Sequence, residues 1–363
     1  MTQIRFMDED HVLRVAILSL SGPAGGGNEW LERFFAPEIV DPAEVYRLGA
    51  GLHPSDGVSV AEAKNPSGAR DGNDTEILVF RRGSVTAAMM DAQPRLRLIQ
   101  RLGERSDSID LDAARARNVR VSCLPRRTLI YTAEHAILLM LALGKRLIEA
   151  DRAVRRGAWD PSRVEATEGV AYNWAGLERL AGLYGQTLGI IGLGEVGAIV
   201  AGLAGRFGMT VLYTNRRRLP AAEEARLGVV YAPRAGLLAS ADVISLHAAD
   251  TPENRGMVDR DFLAAMKPGA FLVNTSRGRL VDEDALYAAL ASGRLGGAAL
   301  DVHGVEPRAP DDRLARLPNV ILTPHCAGGS RRGVLVEIQH LLENCRAGLA
   351  GGPLHHEIRP EPR

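Results

Sequence analysis

Residues 185–197 read Gly-Gln-Thr-Leu-Gly-Ile-Ile-Gly-Leu-Gly-Glu-Val-Gly. An apolar strand, Leu188–Ile191, runs into a G-x-G-x-x-G made by Gly192, Gly194 and Gly197, and a helix-forming stretch opens at Glu195. In that order each glycine has a task. Gly192 makes the tight turn, Gly194 lets a pyrophosphate come up to the backbone, and Gly197 lets the helix pack closely on the strand. The pyrophosphate would rest on the N–H groups of Glu195 and Val196, at the positive end of the helix dipole. In a chain with 39 glycines the motif alone is weak, and a plain glycine-rich turn is the bland alternative. Its place between strand and helix favours the dinucleotide.

Downstream of the motif, short apolar runs alternate with helical stretches. Strands are predicted at Thr187–Ile191, Thr210–Tyr213, Val229–Tyr231, Asp242–Ser245, Ala270–Asn274, Ala298–Val302 and Val320–Leu322. Continuous apolar strands separated by helices mean a parallel sheet buried on both faces. Upstream, Val12–Ser19, Glu76–Phe80, Leu96–Ile99 and Val119–Ser122 predict a first α/β unit, with a Gly22–Gly27 loop and a polar turn at Asn65–Asp74. One long helix, about Thr132 to Arg156, bridges the halves. Its acid near the start and bases near the end suit the helix dipole.

The 363 residues suggest two domains, since a domain takes roughly 100–200 residues. Forty-four basic and 44 acidic side chains cancel, so no overall field draws in nucleic acid or an anionic membrane, and neither is expected as a partner. Only Lys64, Lys145 and Lys267 are lysines, which makes arginine the dominant cation. Cys123, Cys326 and Cys345 form no zinc spacing and no disulfide framework, so no metal is expected and a reducing cytoplasm fits. The opening MTQIRFMDEDHVLRV is unlike a signal peptide, and the greasiest stretch, Ala136–Leu143, is far short of the roughly 20 residues of a membrane span.

The ends of the second-half strands carry the polar residues. A carboxylate about 20 positions beyond the glycine motif would bond the ribose of NAD. Here Asn215-Arg216-Arg217-Arg218 follows the strand, so a 2′-phosphate is bound rather than repelled and NADP is favoured over NAD. The alternative is that the arginines form a solvated face and NAD is used. Further on, Arg277, Glu306 and His325 each follow a strand-like run. Strand carboxyl ends line the ligand crevice of a parallel sheet, so the three can converge beside a nicotinamide. A guanidinium that forks onto a carboxylate, an imidazole that protonates a carbonyl oxygen, and a carboxylate that fixes the imidazole's tautomer are what carbonyl reduction by hydride needs.

Through these motifs the chain resembles the D-isomer-specific 2-hydroxyacid dehydrogenase family over nearly its whole length. The carriers are Gly185–Gly194, Met266-Lys267-Pro268-Gly269, Asn274-Thr275-Ser276-Arg277-Gly278, Leu300-Asp301-Val302, Glu306-Pro307 and Asn319–His325. The resemblance implies two doubly wound parallel-sheet domains of Rossmann-like or flavodoxin-like type. The cofactor domain (125–328) would be inserted in a discontinuous substrate domain (1–124 and 329–363). It further implies catalysis by Arg277, Glu306 and His325, cofactor contacts from Thr275 and from Asp301 near the nicotinamide carboxamide, and homodimers held by an arm around Ala133-Glu134-His135. The substrate would be a 2-keto or 2-hydroxy acid of glyoxylate or hydroxypyruvate type.

Departures from the family pattern concern the substrate. Where a Gly-Val-Gly-like turn usually offers backbone amides to the substrate carboxylate, this chain has Gly103-Glu104-Arg105. Either the amides are still presented with both side chains outward, or Arg105 adds a cation for a more acidic substrate. Arg81, followed by Arg82, is a further candidate for the cleft, with a surface position as its alternative. His247 is expected to pack, His303 to line the cleft, Cys326 to be a small filler, and His355 and His356 to lie at the surface. The competing functional readings are a dinucleotide-sensing scaffold that binds proteins, and a family enzyme acting on another small anion.

Overall fold

The computed structural model describes residues 2–6, 58–62, 75–81, 83–157, 172–309, 311–328 and 331–359. The expected strand Val12–Ser19, the Gly22–Gly27 loop, the Asn65–Asp74 turn and Arg82 lie outside the described residues. The chain divides into two compact units: Met1–Thr128 with Ser330–Arg363, and Leu129–Gly329.

The first unit holds five strands, β1 (Thr2–Phe6), β2 (Val58–Glu62), β3 (Thr75–Phe80), β4 (Leu98–Leu102) and β5 (Arg120–Leu124). All their pairings are parallel, in the order β2-β1-β3-β4-β5, the flavodoxin-like order with its reversal between β1 and β3. The first strand is a correction to the sequence reading, which saw only a polar start. Five residues, Thr-Gln-Ile-Arg-Phe, carry too short an alternation to stand out, and their strand character comes from parallel partners on both sides. Between strands, short helices begin on side-chain caps: Thr86 accepts from the Met89 N–H and Asp110 from the Ala113 N–H. The helix Arg331–Ala350 returns the chain end to β4 and β5. Gly348 sits so close that a Cβ there would lie 2.8 Å from Leu98 Cδ2.

The second unit begins with two helices, Leu129–Gly144 and Leu147–Arg156, where the sequence predicted one. The first ends because Gly144 is pressed against Ala181, whose N–H takes the Gly144 carbonyl at 2.8 Å. Arg146 then turns the chain in a left-handed conformation, φ +49°. Seven strands follow: β6 (Thr187–Ile191), β7 (Thr210–Thr214), β8 (Val230–Tyr231), β9 (Val243–Leu246), β10 (Phe271–Asn274), β11 (Gly297–Leu300) and β12 (Val320–Leu322). Their order is β12-β11-β10-β9-β6-β7-β8, again wholly parallel, with the reversal between β6 and β9. This is the Rossmann-like order, and its ligand crevice opens at the carboxyl ends of β6 and β9. Apolar side chains cover both faces of the sheet. One cluster gathers Ile244, Leu272 and Leu286; the other gathers Val200, Leu188 and Met140. Among the described residues no helix is long and apolar enough to cross a membrane.

Candidate active site

At the reversal point the glycine turn is held by its neighbours. Gly192 takes φ +95°, its N–H donates to the Thr214 carbonyl, and a Cβ on it would lie 2.7 Å from the Ala248 nitrogen. A Cβ on Gly197 would lie 2.8 Å from the Gly192 carbonyl oxygen, so this glycine seats the helix Glu195–Arg206 against the turn. Gly194 differs from both. Nothing lies within 4 Å of where its Cβ would be, so the turn opens outward beside the first N–H groups of a three-turn helix. Buried Thr275, at the end of β10, keeps a side-chain oxygen without a hydrogen-bond partner. An open glycine cradle, the start of a helix beside it and an orphaned hydroxyl are what a dinucleotide would use, and the residues present fit one.

The 213–224 segment sorts the three arginines. Glu224 is buried, takes two bonds of 2.8 Å from Arg218 and one of 2.7 Å from the Tyr213 hydroxyl, and its carboxyl is held down at about 2 by those donors. Arg218 also lies over the Tyr231 ring, 5.4 Å from its centroid. Tyr213 accepts from the Leu219 N–H, which closes the loop. Asn215 is committed as well: Oδ1 accepts from the Leu193 N–H at 2.7 Å and Nδ2 donates to the Leu193 carbonyl at 3.2 Å. Arg216 and Arg217 are left exposed at the strand end.

Three turns at the ends of adjacent strands carry the acid–base candidates. After β10, buried Asn274 accepts from the Ser276 N–H and donates to the Arg277 carbonyl, forming the turn that presents exposed Arg277. A Cβ on Gly278 would run into the His303 carbonyl, so this turn packs directly on the one after β11. In that second turn the His303 N–H donates to Glu306 Oε1 at 2.9 Å. His303 is itself fixed, by the Thr323 carbonyl at 2.9 Å and by Arg308 at 3.1 Å, and Arg308 is paired with Glu283. Following β12, His325 adopts φ +55° and sets Nδ1 2.7 Å from Glu306 Oε2. Burial works against the charged Glu306, but the bonds from His325 and the His303 N–H prevail and hold its carboxyl below the usual range.

Asp301 has a task that sequence reading did not anticipate. It is fully buried, and its carboxylate accepts from the Thr323 hydroxyl at 2.6 Å and from the Cys326 and Ala327 N–H groups at 2.9 Å each. It therefore ties down both flanks of His325. The His135 ring reaches the same hub, 3.1 Å from Thr323 Oγ1. Of the arm residues, Ala133 is fully buried within the unit, His135 half-buried, and Glu134 exposed. Cys326 is exposed rather than a buried filler. Desolvation and the nearby Asp301 raise its thiol pKa, the opposite of what a nucleophile requires. Burial pulls His247 down to about 4; the neutral ring is bonded to Ser245 Oγ at 2.9 Å. The sequence signals for Thr323, Glu224 and Tyr213 were nil, since an isolated hydroxyl, acid or tyrosine has no motif.

In the first unit, the buried turn residue Gly103 takes φ +144° and donates to the Leu124 carbonyl at 2.7 Å. Glu104 and Arg105 are both exposed, with Arg105 paired to Asp107 at 2.9 Å. Arg81, at the end of β3, is half-buried.

A parallel sheet of this order, with an open glycine cradle at its reversal point and an imidazole–carboxylate pair after β11 and β12, defines a dinucleotide-binding α/β oxidoreductase. Comparison with known proteins carries this further. Residues 137–327 match the family described as D-isomer specific 2-hydroxyacid dehydrogenase, NAD binding domain. The glyoxylate reductase of Korarchaeum cryptofilum is 40% identical over 247 residues, which is 68% of this chain and 71% of that one. The D-3-phosphoglycerate dehydrogenase of Mycobacterium leprae is 36% identical over 275 residues; they make up 76% of this chain but 49% of that longer one. Among solved structures, the NADPH-dependent glyoxylate/hydroxypyruvate reductase of Sinorhizobium meliloti superposes with a TM-score of 0.56 at 25% identity, covering 99% of this chain and 97% of the other. The chain belongs to the D-isomer specific 2-hydroxyacid dehydrogenase family: it is an NAD(P)-dependent oxidoreductase of the 2-keto acid/2-hydroxy acid pair.

Proposed function

We propose that this enzyme reduces a small 2-keto acid of glyoxylate or hydroxypyruvate size, using NADPH in preference to NADH. The observation that carries the reading is the 2.7 Å bond between His325 Nδ1 and Glu306, at the ends of neighbouring strands in a dinucleotide fold. With Nδ1 occupied by the carboxylate, Nε2 is the nitrogen that serves the substrate oxygen. Reduced nicotinamide supplies the hydride to the carbonyl carbon. His325 gives its Nε2 proton to the carbonyl oxygen, and the imidazole left behind is reprotonated from solvent. Glu306 stabilises the charged ring before the transfer. Arg277 binds the substrate carboxylate and draws charge toward the keto oxygen.

The preference for NADPH is supported by the ordering of the 213–224 loop. Asn215 spends its amide on Leu193, so a bare ribose diol finds neither that side chain nor an acid at the strand end. Arg218 is clamped by Glu224, which fixes the loop and leaves Arg216 and Arg217 to meet a 2′-phosphate. Homodimer formation fits the exposed apolar face of the two helices that open the second unit, where Leu138, Leu147, Ile148 and Val154 are 42–55% exposed.

The test is consumption of NADPH and NADH against a panel of 2-keto acids, with His325→Ala and Arg277→Ala as controls. Turnover of a small keto acid, greatly slowed in both variants, is the expected result. Undiminished rates in both would remove the assigned mechanism.

A further inference from the structure

Far along the chain from the glycine motif, the first unit gathers three side chains with nitrogen and oxygen donors. His340 and Glu343 are three residues apart on the helix Arg331–Ala350, hence on one face of it, and His355 comes from the segment that follows the helix. One donor atom from each lies within 4.8 Å of the other two. His355 Nε2 is 2.6 Å from Glu343 Oε2, and the two imidazoles face each other with centroids 4.5 Å apart.

The surroundings hold the Glu343 carboxylate and the His355 backbone in place. Glu343 takes its other bond from Gln339 at 2.8 Å, which orients the carboxylate toward His355. The backbone of His355 is pinned from both sides: its N–H donates to Asn344 Oδ1 at 2.7 Å, and its carbonyl accepts from Asn344 Nδ2 and from the Ser122 hydroxyl. Asn344, Ser122 and Gln100 are fully buried and bonded to one another, so this anchor reaches into the sheet. Beyond it, the Cys123 N–H donates to the His356 carbonyl and the Ile358 N–H to the Val121 carbonyl, which lays the segment along β5.

We propose that His340, Glu343 and His355 form a binding site for a divalent transition ion of the zinc class. Two imidazoles and one carboxylate are a common zinc set that leaves the fourth position to water. Nitrogen donors select zinc, cobalt, nickel or copper over calcium and magnesium. The ion takes the place of the proton shared by His355 Nε2 and Glu343 Oε2, and that proton leaves to solvent. The rings lie 19° from parallel, so the exposed His355 ring turns about its side chain to bring its lone pair onto the ion. The consequence is a clip between the helix Arg331–Ala350 and the segment after it, within the first unit.

The spacing of the three ligands gave no motif, because His355 reaches the site only through the fold of the segment that carries it. Among the described residues a second metal-capable group, His135, Asp301 and Cys326, differs in that its carboxylate already accepts three internal bonds.

The experiment is titration of the untagged full chain, stripped by a chelator, with cobalt(II) and then zinc(II), following the cobalt absorption spectrum and the heat of binding. One saturable site per chain is expected, with zinc displacing cobalt. His340→Gln, Glu343→Gln and His355→Gln should each weaken it by about tenfold or more while NAD(P)H oxidation is unchanged. Thermal unfolding of each variant without metal reports that it is folded. A single site that survives all three substitutions but is lost in Cys326→Ser would overturn the proposal, as would the absence of saturable binding in the wild-type chain.

Discussion

Two glycines two residues apart, Gly192 and Gly194, should respond oppositely to the same added methyl group. At Gly192 an alanine must keep φ +95°, a conformation that costs a side chain about 1–3 kcal/mol. Its Cβ would also press on the Ala248 backbone at 2.7 Å, and relieving such overpacking costs about 1–3 kcal/mol more. The expected loss of stability for Gly192→Ala is therefore about 2–6 kcal/mol. Gly194 sits at φ −94° and ψ −156°, within reach of alanine, and its Cβ would meet no atom. Stiffening the unfolded chain should make Gly194→Ala neutral or more stable by about 0.4–1 kcal/mol. That methyl would nonetheless occupy the space through which a pyrophosphate approaches the helix N–H groups. Losing one hydrogen bond to a charged group, about 1.5–3 kcal/mol, weakens NADPH by about 10- to 150-fold. Thermal unfolding and titration of NADPH fluorescence on both variants measure the pair of effects. Wild-type affinity in Gly194→Ala, or destabilisation equal to that of Gly192→Ala, would refute the reasoning.

Removing Arg216 and Arg217 together should raise KM for NADPH by about 10- to 100-fold and leave KM for NADH nearly unchanged, as steady-state kinetics with each cofactor would show. Glu224, held at about 2, contributes stability that is complete above its ordinary value of 4.5 and is lost as pH falls from there toward 2. Unfolding followed by circular dichroism at stepped pH should therefore show wild type more stable than Glu224→Gln above about 4.5, with the gap closing as pH falls toward 2. His325→Ala should lower kcat by about 10²- to 10⁴-fold, and Glu306→Gln by less, since it keeps a bond to the ring but loses the charge. Because the Glu306 carboxyl is held low, the carboxylate that partners His325 keeps its charge until pH falls through that depressed value. The acid limb of the kcat profile, measured in wild type and Glu306→Gln, checks this. Arg105→Ala should change KM by less than threefold, because the guanidinium is exposed and already paired with Asp107.

Much of the fold was legible because buried parallel strands are unbroken apolar runs. The segments around Thr187–Ile191, Phe271–Asn274 and Val320–Leu322 announced themselves in this way, and the glycine turn fixed which of them came first. Element ends were less legible. Lys145 and Arg146 are good helix formers, yet the helix breaks there because the N–H of Ala181, 37 residues on, donates to the Gly144 carbonyl. The strand Thr2–Phe6 was invisible for the converse reason: its local signal is poor and its two neighbours supply the pairing.

By itself, the sequence determined the class of chemistry, because phosphate binding needs glycines at fixed offsets and the residues after each strand must face the crevice. Arg277, Glu306 and His325 are of this kind: their identity and their place at strand ends were readable one segment at a time. Only the tertiary structure decided how they are held. The Asp301 carboxylate reaches 26 residues along the chain to the Ala327 N–H, and Glu224 chooses Arg218 from three adjacent arginines. Such bonds join residues that carry no shared pattern. A strand's hydrophobicity is local, whereas satisfying a buried polar group depends on whatever the finished fold brings within 3 Å of it.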